Sequence, residues 1–76
     1  MCGIIGINSN RPVSSTIISS LKKLEYRGYD SAGIATLSNN GINEVKSEGR
    51  VDNLENNLLV QKMEGTIGIG HVRWAT

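Results

Sequence analysis

The sequence predicts an α+β fold with elements in the order β-α-β-β-α-β. Three observations carry that reading. Short isoleucine-rich runs end in turn residues, a stretch with helical spacing separates the first two of them, and an Asn-Gly step joins the second to a returning strand.

Each element has its own signal. Gly3-Ile-Ile-Gly-Ile7 is a short apolar run closed by Asn8-Ser9-Asn10-Arg11-Pro12, which favours a buried strand whose glycines admit a close neighbour. Pro12 suits the first turn of a helix. Val13, Ile17, Ile18, Leu21 and Leu24 then keep helical spacing, so a helix is expected over residues 12–26. Arg27-Gly28-Tyr29-Asp30-Ser31 breaks the period and reads as a loop. Gly33–Leu37 is a second strand. Asn39-Asn40-Gly41 follows as a hairpin signal of the type I′ class, and Ile42–Lys46 returns. A second helix is expected from Arg50 or Val51 to Glu64-Gly65, with Val51, Leu54, Leu58 and Leu59 on one face. Thr66–Val72 is a fourth strand, in which Ile67, Ile69 and His71 alternate with Gly68 and Gly70.

Composition narrows the function. The chain has 76 residues, 8 Lys+Arg against 7 Asp+Glu, and a formal net charge of +1. Its cations are spread along the chain, which argues against a nucleic-acid partner. Hydrophobic residues make up 38%, and no run approaches the roughly 18 apolar residues of a membrane span. No basic and apolar leader opens the sequence, and a single cysteine excludes an internal disulfide, so a cytoplasmic chain is expected. A domain this short buries only about 60% of its unfolded surface. With no Phe and one Trp, large core anchors are scarce, and one partial domain is the expectation.

Cys2 is the residue richest in chemical consequence. Removal of Met1 leaves a thiol and a free α-amine on one residue, with reference pKa values of about 8.5 and about 7.7–8.0. One residue then supplies both nucleophile and base. Position alone leaves a structural cysteine as the competing reading. Arg73 is suited to grip a carboxylate with its planar fork, Thr76 offers a hydroxyl, and Trp74 can cover a pocket, but taken alone the segment reads first as an ordinary surface Arg and a partly buried Trp. The segment at residues 27–31 is either a solvated turn, in which Asp30 and Arg27 can pair, or a loop that shapes a site. His71 is the single histidine and reads as a strand residue. With one Cys beside it, a metal site lacks ligands. Gly68-Ile-Gly70 lacks the third glycine and the helix start of a dinucleotide fingerprint.

Met1-Cys-Gly-Ile-Ile-Gly6 resembles the start of the class II, or N-terminal-nucleophile, glutamine amidotransferases. Leu24-Glu-Tyr-Arg-Gly-Tyr-Asp-Ser-Ala-Gly33 and Gly70-His-Val-Arg-Trp-Ala-Thr76 are similar to segments of the branch that aminates fructose 6-phosphate. Other branches carry Pro at the position of Tyr29 or Tyr at the position of Trp74. The resemblance spans the whole chain. It implies an αββα sandwich of the N-terminal-nucleophile class, of which residues 1–76 form the front part of the glutaminase domain.

The resemblance also implies roles. Cys2 is the nucleophile that attacks the glutamine side-chain amide, with its α-amine as general base through a water. Arg73 holds the substrate α-carboxylate, Thr76 helps bind the amino-acid head group, Trp74 belongs to the loop that closes the site, and Arg27 orders the nucleophile. Ammonia passes to fructose 6-phosphate on separate isomerase domains of a homodimeric enzyme, giving glucosamine 6-phosphate, with no cofactor and no metal. The family pattern continues beyond Thr76 with a His-Gly step, an Asn-Gly pair for oxyanion stabilisation and an acidic residue for the substrate amine. Loss of a single oxyanion donor costs about 10²–10³ in rate. The 76 residues alone are therefore expected to be inactive. The competing expectations are a non-enzymatic remnant and the front of another class II amidotransferase.

Overall fold

The structure, a computed structural model, describes residues 2–28 and 30–74; Met1, Tyr29, Ala75 and Thr76, and the side chains of Cys2 and Arg27, lie outside that description. The elements are β1 (Cys2–Asn8), α1 (Ser14–Leu24), a 3₁₀ turn (Glu25–Arg27), β2 (Ser31–Ser38), β3 (Gly41–Glu48), α2 (Val51–Glu55), α3 (Leu58–Gln61) and β4 (Ile67–Arg73). The expected order of strands and helices holds, with the second helix divided in two.

The four strands form one sheet in the order β1-β4-β2-β3. β4 is antiparallel to both β1 and β2, so these two run parallel to each other with β4 between them. α1 is the crossover between β1 and β2, and it lies over β4. Two glycines make that approach possible. A Cβ at Gly70 would collide with Ile17, and one at Gly68 would stand 2.8 Å from the Ile17 Cδ1. Ile17, Leu21, Ile34, Leu54, Val51 and Val72 are fully buried between this sheet face and the helices. Each such side chain contributes about 1.5–3 kcal/mol on leaving water. Buried Thr36 donates its hydroxyl to the Glu64 carbonyl at 2.6 Å, which ties the segment before β4 to β2.

Three local expectations change. α1 starts at Ser14, with Val13 as N-cap and Pro12 outside the helix; the Val13 N–H is satisfied by the Gly65 carbonyl at 3.1 Å. The β2–β3 hairpin is not type I′. That turn needs positive φ at both central residues, whereas among the described residues no non-glycine has positive φ and the left-handed conformation falls on Gly41 at +104°. The Ser38 hydroxyl steadies the bend, accepting from the Asn40 N–H at 3.3 Å.

The second helix breaks at Asn56-Asn57. The Asn57 side chain accepts from the Leu59 N–H at 2.8 Å and restarts the helix as α3. The restart changes the phase. Val60 and Met63 enter the core, while Leu58 and Leu59, expected on the buried face, are exposed. An asparagine that offers its own hydrogen bond to the backbone competes with helix continuation.

The sheet face opposite α1 is uncovered and carries an apolar patch. Ile4, Leu37, Ile42, Ile67 and Ile69 are all exposed, Ile4 by 77% and Ile42 by 75%. Among the described residues no helix is long and apolar enough to cross a membrane.

Candidate functional site

Residues from three separate stretches of sequence meet at one end of the sheet. In the backbone register Cys2 is the partner of Arg73, and Arg73 is in turn the partner of Ser31. β4 therefore places Arg73 between the residue that opens β1 and the residue that opens β2. Of the five residues expected to form a site, the register joins Cys2 and Arg73 directly. The side chains of Cys2 and Arg27, and all of Thr76, lie outside the described residues.

The loop that approaches this end is fastened on both flanks. The Trp74 indole Nε1–H donates to the Leu24 carbonyl at 3.1 Å, so the residue just past β4 is tied to the last turn of α1. Trp74 is half-buried and packs against the hydrophobic core. On the other flank, the Glu25 carboxylate accepts the Val51 N–H at 2.6 Å, and its second oxygen lies 3.7 Å from the Arg50 guanidinium. The Glu25 side chain is 8% exposed. The carboxylate thus satisfies a backbone donor at the start of α2 that no N-cap side chain reaches.

Gly28 then ends the 3₁₀ turn at φ +131°, donating its N–H to the Glu25 carbonyl at 2.9 Å. That φ is available to glycine and strained for any residue with a Cβ. Gly28 in the Arg-Gly-Tyr-Asp segment is therefore required by the backbone, which turns sharply there toward β2.

Asp30 closes the loop. Its carbonyl accepts the Gly49 N–H at 2.7 Å, and its carboxylate Oδ2 lies 3.7 Å from Nε of Arg73. The residue types of this loop suggested Arg27 as a partner for Asp30; the Arg27 side chain lies outside the described residues, and among those described Asp30 pairs with Arg73. Nothing in the spacing of the chain could reveal that pair, because it depends on β4 lying beside β2. His71 is half-buried beside Gly33, its register partner, and a Cβ at Gly33 would collide with its imidazole. Gly3 makes room for Leu24: a Cβ there would stand 2.9 Å from the Leu24 Cδ1.

This sheet end sets the backbone of Cys2 beside that of Arg73, whose guanidinium is solvent-accessible. The Arg73 side chain is 70% exposed. A guanidinium in that state can accept a carboxylate by bidentate hydrogen bonding.

No family model matches the chain. Over all 76 residues it is 53% identical to glutamine–fructose-6-phosphate aminotransferase (isomerizing) of Bradyrhizobium diazoefficiens and 55% identical to that of Brucella abortus. The chain spans 12% of the length of each.

Among solved structures it is similar to the allosteric regulatory enzyme of purine biosynthesis, with a TM-score of 0.86 and 28% identity over 100% of this chain and 16% of that one. It is also similar to the glutamine phosphoribosylpyrophosphate amidotransferase of B. subtilis, with a TM-score of 0.82 and 25% identity over 99% of this chain and 16% of that one. The α+β fold is thus that of the N-terminal part of an N-terminal-nucleophile hydrolase. In sequence the chain is similar to the N-terminal portion of glutamine–fructose-6-phosphate aminotransferases, and in fold to that of N-terminal-nucleophile glutamine amidotransferases.

Proposed function

We propose that residues 1–76 are the front of a glutaminase domain in which Cys2 is the nucleophile and Arg73 the carboxylate anchor. The observation that carries the reading is the register pairing of Cys2 with Arg73, which brings the opening Cys-Gly-Ile-Ile motif beside the His-Val-Arg-Trp motif.

In the proposed reaction the Cys2 sulfur attacks the amide carbon of the glutamine side chain. Its proton passes through a water to the α-amine and then to the departing nitrogen, which leaves as ammonia. Water cleaves the resulting thioester, releasing glutamate and restoring the thiol. Arg73 pairs with the α-carboxylate of the substrate, Thr76 binds its head group, and Arg27 orders the nucleophile. Trp74 anchors the segment that closes over the bound amino acid. Ammonia then goes to fructose 6-phosphate on isomerase domains outside these residues, yielding glucosamine 6-phosphate in a homodimeric, cytoplasmic enzyme.

The 76 residues alone do not catalyse this. On this reading the oxyanion donors and the group for the substrate amine come from other residues of the complete enzyme, and the uncovered face bearing Ile4, Ile67 and Ile69 is the surface on which the second sheet of an αββα sandwich would pack.

The test is made on the complete native gene product. A diazoketone analogue of glutamine is expected to label the N-terminal peptide at Cys2, and Cys2→Ala is expected to abolish glutamate release. Glutamate release that survives Cys2→Ala would remove the nucleophile assignment. Glutamate release without glucosamine 6-phosphate from fructose 6-phosphate would assign the chain to another class II amidotransferase. Turnover by the isolated 76 residues would overturn the statement that they are inactive.

A further inference from the structure

We infer that Asp30 is a positioning residue for Arg73, holding the guanidinium so that its two terminal nitrogens face the α-carboxylate of an amino-acid substrate. The inference rests on the reading of Arg73 as the carboxylate anchor and extends it to a residue for which no role has been given.

The contact is made by Nε of Arg73, 3.7 Å from Oδ2 of Asp30. An anchor at Nε constrains the long side chain near its branch point and leaves the Nη pair for an end-on, two-point grip on a carboxylate. Asp30 is well placed for this. It directly precedes Ser31, the register partner of Arg73 on the neighbouring strand. Its backbone is held by the Gly49 N–H at 2.7 Å, so the carboxylate is presented from a fixed point at the strand end. Arg73 itself projects from the end of the central strand with 70% of its side chain exposed. A flexible side chain in that position loses rotamer freedom on binding, and a prior anchor reduces the loss.

The Asp30 side chain is 48% exposed, and pairs of this kind add little to folding stability. Asp30→Asn is therefore expected to fold normally while losing the anchor. Two effects oppose each other in that variant. Loss of orientation weakens substrate binding, and loss of a nearby negative charge strengthens it. Because the solvent-exposed charge is screened, orientation dominates.

The experiment measures glutaminase kinetics of the complete native gene product with two substrates, glutamine and its α-carboxamide analogue, which lacks the α-carboxylate. Asp30→Asn is expected to raise KM for glutamine roughly two- to fivefold, the range an exposed charge pair supports. kcat should stay near wild type, the KM for the α-carboxamide should not change, and Asp30→Glu should restore part of the loss. A KM for glutamine that is unchanged or lower in Asp30→Asn overturns the proposal, as does an equal rise for both substrates. Arg73→Ala separates the two readings. If it leaves the preference for glutamine over the α-carboxamide intact, the carboxylate reading falls and the Asp30 proposal with it. If it abolishes that preference while Asp30→Asn is silent, the Asp30 proposal falls alone. A gene product that turns over no glutamine overturns both.

Discussion

Trp74 and Leu24 are joined by a 3.1 Å hydrogen bond from the indole Nε1–H to the main-chain carbonyl, which fixes the end of the central strand to the last turn of the crossover helix. Trp74→Phe keeps most of the ring packing and deletes the donor. It is expected to lower stability by about 1 kcal/mol in urea unfolding. In amide hydrogen exchange the 3₁₀ turn Glu25–Arg27 should exchange faster than in the parent protein. Unchanged stability and exchange would show that the bond does not hold the turn.

The two glycines of β4 beneath α1 differ sharply from Gly6. A methyl at Gly70 meets Ile17 and stands 3.1 Å from Leu21 Cδ1, whereas one at Gly6 has its nearest neighbour at 3.8 Å. Gly70→Ala is expected to cost roughly 1–3 kcal/mol through overpacking. Within residues 1–76 alone, where no second sheet covers this face, Gly6→Ala is expected to be neutral or stabilising by up to about 1 kcal/mol, because its φ is not in the left-handed region and the unfolded chain loses freedom. Thermal unfolding of both variants checks the contrast. Equal effects would mean that α1 does not press on β4 as the structure has it.

The uncovered sheet face makes a prediction about the rest of the protein. Ile69 is 58% exposed within these residues. A surface substitution usually changes stability by less than about 0.5 kcal/mol, whereas truncating a core isoleucine to alanine costs about 2–5 kcal/mol. If a second sheet packs on this face, Ile69→Ala in the complete gene product is expected to fall in the larger range. A change within the surface range would mean that the face stays open to water.

Lys22 links α1 to α2 by charge. Its ammonium lies 2.6 Å from the Glu55 carboxylate and 3.4 Å from that of Asp52. The hydrogen bond it donates to the Glu55 carboxylate leads the causes that raise its pKa above the ordinary 10.5. A lysine whose pKa is raised on folding stabilises the folded state fully below its unfolded value, and that contribution is lost as pH rises through the folded value. Lys22→Met is therefore expected to be less stable than the parent at neutral pH. The difference should close only at pH values above 10.5, and it should shrink with added salt. Parallel unfolding curves across pH measure this. A difference insensitive to both pH and salt would assign the effect of Lys22 to packing.

Much of the fold was legible along the chain. Isoleucine runs between turn residues and the spacing of Val13, Ile17, Ile18 and Leu21 identify the strands and the first helix, because periods of two and 3.6 residues are local properties of the backbone. Local chemistry also marked Cys2, Arg73 and the Arg-Gly-Tyr-Asp loop as candidates. The split of the second helix at Asn56-Asn57 was less visible, since an asparagine can sit on a helix surface as well as end one. Its effect on Leu58 and Leu59 follows from the change of phase.

What folding alone decided is how distant segments face each other. Alternation in β4 shows that Gly68 and Gly70 lie on one side and Ile67 and Ile69 on the other. It does not show that the glycine side takes the helix, a choice set by the volume of Ile17 and Leu21 in the space the glycines leave. The insertion of β4 between β1 and β2 is equally non-local. That insertion makes neighbours of Cys2, Arg73 and Ser31, and through them of Arg73 and Asp30. Strand order depends on how a crossover helix buries its apolar stripe against a sheet, a property of the assembled packing rather than of any stretch of residues.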